Sequence, residues 1–102
     1  TVAAAILSEK PNLKALLCSN DSMALGAVAA VRQAGRTGDV LVVGFDNLSA
    51  ANDLVQSGEL LATIDQHGDE LAVYGIEYAL QILQSGVIPE NIITPVDLIV
   101  AK

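Results

Sequence analysis

A chain of 102 residues with 12 acidic side chains, 5 basic ones and a single histidine carries a formal charge of −7, and it fits one small domain with no room for two. Its 52% hydrophobic and 17% charged content excludes a disordered chain and allows a sizeable core, which Ala, Val, Leu and Ile must build because aromatics make up only 3%. The acidic balance argues against nucleic acid and anionic membrane surfaces, since nothing is present to neutralise phosphates.

Val2 to Ser8 is Ala-rich and helical in pattern, and Pro11 bars its continuation. Leu13 to Ser19 is a short apolar run that reads as a buried strand. Asn20-Asp21-Ser22 is a helix-start signal, and apolar residues at 23, 24, 27, 28, 31 and 34 form a helical stripe that Gly35 ends. After a Gly38-Asp39 turn, Val40 to Phe45 is the clearest strand of the chain. Asp46-Asn47 starts a helix that runs to about Gln56, with Gly58 as its stop. Leu60 to Ile64 is a third strand. Gly68-Asp69 opens a long helix carrying Leu71, Ala72, Ile76, Ala79, Leu80 and Leu83, which Gly86 stops. Pro89 and Pro95 frame a loop, and Val96 to Val100 reads as a last strand.

This order predicts an α/β fold: a parallel, doubly wound, flavodoxin-like sheet of three to four strands with helices on both faces. Such domains normally begin with a strand. The opening helix therefore marks a partial lobe with a bare sheet edge, and the chain reads as a processed or excised piece, with no signal peptide and no Met at Thr1. No apolar stretch approaches the roughly 20 residues of a membrane-spanning helix, so no membrane insertion is expected.

In open parallel sheets, ligands bind outside the carboxyl ends of the strands. The three clearest strands end in Asn20-Asp21, Asp46-Asn47 and Asp65-Gln66-His67. A crevice of Asn, Asp and Gln suits the hydroxyls of a sugar, each of which both donates and accepts. Asn20, Asp21 and Asp46 also fit a plainer role as helix N-caps, and Gln66 fits a solvated loop residue. His67 lies near two acids, Asp65 and Asp69, but no second His or Cys is spaced for metal, so no metal is expected. Cys18 reads as a packed small hydrophobe and forms no disulfide. The glycines form neither a GxGxxG nor a phosphate loop, so no cofactor is expected. No nucleophile–base pair is spaced for catalysis, and the chain is read as no enzyme.

At the same residues, three stretches carry a resemblance: ALLCSNDSMALGA (15–27), VLVVGFD (40–46) and LATIDQ (61–66). Together they resemble the periplasmic sugar-binding proteins of the ribose-binding type, in their carboxyl-terminal part only. The resemblance implies two lobes that close over a monosaccharide such as ribose, delivery to an ABC transporter permease, and a periplasmic location. It places ligand-binding roles on Asn20, Asp46 and Gln66, the last at a hinge between lobes. The other, amino-terminal lobe is missing here. So is the surface on which the family packs the helix from Asp69 to Ser85, and a homodimer is expected to cover what is left bare. LacI-type repressors share this core and stand as the alternative, but ATIDQ and TPVDL favour the transport proteins. A receiver-like signalling domain would need a lysine in the right place after a late strand, and none of Lys10, Lys14 and Lys102 stands there.

Overall fold

A computed structural model describes residues 1–102. Helices and strands alternate along the chain as α1 (Val2–Glu9), β1 (Ala15–Leu17), α2 (Asp21–Gln33), β2 (Leu41–Val43), α3 (Ser49–Ser57), β3 (Ala62–Asp65), α4 (Gly68–Ser85) and β4 (Asp97–Val100). Local chemistry sets most of these boundaries. The Thr1 hydroxyl caps α1 by accepting from the Ala4 amide at 3.2 Å, and Asn20 Oδ1 caps α2 by accepting from the Met23 amide at 2.9 Å. Gly58 ends α3 at φ +84°, a left-handed conformation that costs glycine nothing.

The sheet order is β1-β2-β3-β4. β1 pairs with β2 in parallel through Ala15↔Leu41, Leu16↔Val42 and Leu17↔Val43, and β2 pairs with β3 in parallel at Val43↔Ala62. Helix α2 packs on β2 and on α1, while α3 packs on β3, β4 and α2. Between them lies one core of Ala24, Ala27, Val28, Val31, Val42, Val55 and Leu60, closed at its margin by Leu7 of α1. Leu60, Val42 and Val55 are its largest fully buried apolar side chains. Removing each from water stabilises the fold by roughly 1.5–3 kcal/mol.

The α/β class and the mostly parallel sheet agree with the sequence, and three details differ. The expected helices on both faces are found on one face only. Strands β1, β2 and β3 advance in one direction across the sheet, so their right-handed crossovers place α2 and α3 on the same side. Strand register puts Leu17, Leu41 and Leu98 on the opposite face, where they are 83%, 46% and 67% exposed. The last strand, read as parallel, runs antiparallel to β3 through Ala62↔Val100, Thr63↔Ile99, Ile64↔Leu98 and Asp65↔Asp97. Both α4 and the segment 87–96 lie beyond the carboxyl end of β3, so the chain re-enters the sheet at the end it left and must run back along β3. Helix α4 has no buried residue. Its Leu71, Tyr74, Tyr78 and Ile82 line a hollow with Ile88 and Ile92 of the returning segment. The molecule is accordingly elongated, 58 × 30 × 17 Å.

The helix expected to start at Asp46-Asn47 starts instead at Ser49, with Leu48 at the cap position and no side-chain cap. Asp46 and Asn47 have φ of +117° and +55°. Neither is a helix cap; both belong to a turn that the tertiary structure imposes.

Candidate functional site

Parallel pairing brings the ends of β1, β2 and β3 to one edge of the sheet, and with them Asn20, Asp46 and Gln66. Backbone bonds stitch these ends together: the Asp21 amide donates to the Phe45 carbonyl at 2.7 Å, and the Asp46 amide to the Ile64 carbonyl at 2.8 Å. Gln66 Nε2 donates to Asp46 Oδ1 at 2.8 Å, so two of the expected residues are in direct contact. Asn20 stands at the end of the neighbouring strand with its Oδ1 engaged in capping. Capping occupies Oδ1 and leaves the Asn20 amide Nδ2 as a donor. Asp46 retains a second carboxylate oxygen and Gln66 its carbonyl. The edge therefore presents donors and acceptors side by side, the pattern that vicinal hydroxyls match.

Asp46 owes its position to an unusual backbone. A non-glycine residue at φ +117° lies outside the relaxed regions and persists only where its surroundings over-determine it. The surroundings here are specific. The Asn47 amide donates to Thr63 Oγ1 at 3.2 Å, and Asn47 Nδ2 donates to Asp65 Oδ2 at 3.1 Å. The Leu48 amide donates to Asp21 Oδ2 at 2.8 Å, and the Thr63 hydroxyl donates to Asp21 Oδ1 at 2.7 Å. Asp21, a helix-start residue by sequence, is fully buried and ties the segment after β2, at Leu48, to Thr63 of β3.

The far side of the edge is a charged crossing. His67, at φ +53°, donates its amide to Asp65 Oδ1 at 2.8 Å, and its Nε2 lies 2.9 Å from Asp97 Oδ2. The His67 amide, with help from the Asn47 side chain, holds the Asp65 carboxyl below its ordinary range. Loss of water works against charge on His67, but the bond to Asp97 and the charges of Asp65, Asp97 and Glu70 outweigh it and raise the imidazole pKa. Cys18 packs against the core, and burial pushes its thiol pKa up, which is the behaviour of a packed hydrophobe rather than a nucleophile.

A family model described as "Periplasmic binding protein domain" matches residues 1–86. The chain belongs to this periplasmic binding protein family. It is 52% identical to the D-ribose/D-allose-binding protein of Pseudomonas aeruginosa, over 98% of this chain and 33% of that protein. It is 40% identical to the ribose import binding protein RbsB of Escherichia coli K12, over 78% of this chain and 26% of RbsB. Among solved structures, it superposes with TM-score 0.87 and 35% identity on an ABC transporter periplasmic solute binding protein from Actinobacillus succinogenes 130z with bound D-allose, covering 97% of this chain and 35% of that one. This periplasmic binding protein segment thus spans about a third of the length of the relatives it matches. These relatives are transport binding proteins, and no helix of this chain is long and apolar enough to cross a membrane.

The sequence did not single out Thr63, and it took Asn47 for a helix start and Asp21 for a cap. One signal was present: Gly44 inside an apolar strand, where glycine marks a close approach. A Cβ built on Gly44 would stand 2.1 Å from Asp21 Oδ1.

Proposed function

We propose that this chain forms one wall of a monosaccharide-binding cleft in a periplasmic solute-binding protein that serves ABC-type uptake. Its ligand is a sugar of the ribose or allose class, and Asn20, Asp46 and Gln66 contact the sugar hydroxyls. The observation that carries this reading is the Gln66–Asp46 bond at 2.8 Å, which joins adjacent strand ends beside Asn20. The chain acts as one α/β unit within a longer protein. A second lobe supplies the opposite wall, and hinge closure excludes water so that each hydrogen bond counts. The protein binds its sugar and passes it to a permease without transforming it. The charged crossing at His67 and Asp97 lies where the chain would pass toward the second lobe. In isolation, the bare sheet face and α4 would instead be covered by a second copy.

The test is titration calorimetry with D-ribose and D-allose on the full-length binding protein that carries this segment. One of the two should bind tightly, and Asp46→Asn or Gln66→Ala should weaken it at least about tenfold, the loss expected for a buried, charge-assisted hydrogen bond. Unchanged affinity in both variants would remove these residues from the site.

A further inference from the structure

We propose that Asp21 and Thr63, neither of which reaches the proposed sugar site, are positioning residues that set the orientation of the Asp46 carboxylate. This rests on the sugar-binding reading above and names what prepares that site.

Asp21 and Thr63 are both fully buried. A buried carboxylate is strongly destabilising unless its oxygens are satisfied. Here each oxygen has one donor: Oδ1 takes the Thr63 hydroxyl at 2.7 Å and Oδ2 the Leu48 amide at 2.8 Å. Asp21 is also the first residue of α2, where the helix dipole favours negative charge. Because the Thr63 proton points to Asp21, the hydroxyl oxygen faces the Asn47 amide as an acceptor, at 3.2 Å. The carboxylate thus fixes the direction of the hydroxyl, and the hydroxyl fixes the amide of the residue after Asp46.

These bonds grip the turn on the carboxyl side of Asp46 at two successive amides, Asn47 and Leu48. On its own amide Asp46 is held by the Ile64 carbonyl at 2.8 Å. A backbone at φ +117° followed by φ +55° does not hold itself, and removing these anchors lets Asp46 relax toward an ordinary conformation and away from Gln66. Gly44 completes the device. It leaves space for the Asp21 carboxylate, which a Cβ would meet at 2.1 Å. The same three residues that bury a charge therefore convert that cost into a defined turn.

The experiment uses the full-length binding protein that carries this segment, with D-ribose and D-allose as probes. Thr63→Val keeps the side-chain volume and removes the hydroxyl, whereas Thr63→Ser keeps the hydroxyl. Thr63→Val should raise the Kd of the better sugar about tenfold, and Thr63→Ser should stay within about twofold of the parent. A readout independent of sugar is the carbon resonance of the Asp46 carboxyl in the unliganded protein, which should move in Thr63→Val and not in Thr63→Ser. Asp21→Asn, which can satisfy only one of the two donors, should move it in the same sense if Thr63→Val fails to fold. In an Asp46→Asn background, Thr63→Val should have no further effect on affinity. An unmoved Asp46 resonance in folded Thr63→Val and Asp21→Asn overturns the proposal and leaves the network a stability element. So does an affinity loss that adds in full to that of Asp46→Asn. Normal sugar binding by Asp46→Asn alone would instead bring down the sugar-site reading, and the resonance would still decide whether the network positions Asp46.

Discussion

Helices α2 and α4 are both amphipathic, yet only one of them has found its partner. The apolar stripe of α2 closes on the sheet, with Ala24, Ala27, Val28 and Val31 buried. The stripe of α4 stays in water: Ile76, Leu80 and Leu83 are 63%, 51% and 82% exposed. An apolar stripe is covered only where the topology lays it over a second layer: α2 lies against β2 and α3, whereas α4 leaves the sheet at the end of β3 and buries no residue. The proposed reading, in which a second lobe or a second copy covers these surfaces, makes the two helices differ in what they contribute to the isolated chain.

Side-chain truncation should separate the core from α4 most clearly. In the isolated chain at low concentration, Leu60→Ala in the core should cost about 2–5 kcal/mol in urea unfolding, because a well-packed core collapses only partly around the cavity. Leu83→Ala on α4 should change stability by less than about 0.5 kcal/mol. Comparable losses would mean that α4 folds back onto the core. Next in size is self-association. Light scattering of the isolated chain should show mass rising with concentration, and a charge at Leu83 or Leu17 (Leu83→Lys, Leu17→Lys) should restore the monomer. A strictly monomeric mass at all concentrations would show that the bare surfaces need no cover.

A smaller effect lies at the seam between the two regions. His67 holds its proton more tightly when folded than when unfolded, since its pKa is raised by Asp97, Asp65 and Glu70 against the opposing effect of burial. Its contribution is therefore full below the ordinary value of 6.5 and is lost as pH rises through the higher folded value. Asp65, with its pKa lowered chiefly by the His67 amide, contributes in the opposite sense: fully above 3.8, and less as pH falls through its folded value. Urea midpoints of the parent and of His67→Gln, followed upward from pH 6, should converge as the imidazole loses its proton. A pH-independent difference would assign His67 a packing role only. The smallest effect belongs to the exposed Arg32–Glu59 pair on the packed side. Breaking it with Arg32→Gln should cost less than about 1 kcal/mol and disappear in high salt. A larger loss would mean that the packed side depends on its surface charges as well as its core.

Much of the proposed site was legible before any coordinates. Asn20, Asp46 and Gln66 stand at successive strand ends, and parallel strands must bring such ends to one edge. The bond between Gln66 and Asp46 was not legible, nor was the reason Asp46 stands where it does. Asp21 and Thr63 are 42 residues apart in the chain, and no local pattern couples them. Asp46-Asn47 looked like a helix start because Asp and Asn favour caps; the pull of Thr63 and Asp21 on the next two amides overrides that preference. Only Gly44 carried a trace of the arrangement, as a glycine where a strand prefers a larger residue.

The residue pattern alone carries the alternation of helix and strand, the parallel run of the first three strands, the cap at Asn20 and the polar edge. All of these follow from periodicity and from side chains acting on backbone within a few residues. Three features emerge only in three dimensions: the packed helices share one face, β4 turns back antiparallel, and the buried Asp21 carboxylate bonds the segment that follows Asp46. The physical reason is that these depend on where the chain goes after it leaves the sheet and on which distant groups a buried charge must find. Hydrophobic patterning specifies that a face will be covered, but it does not specify by what.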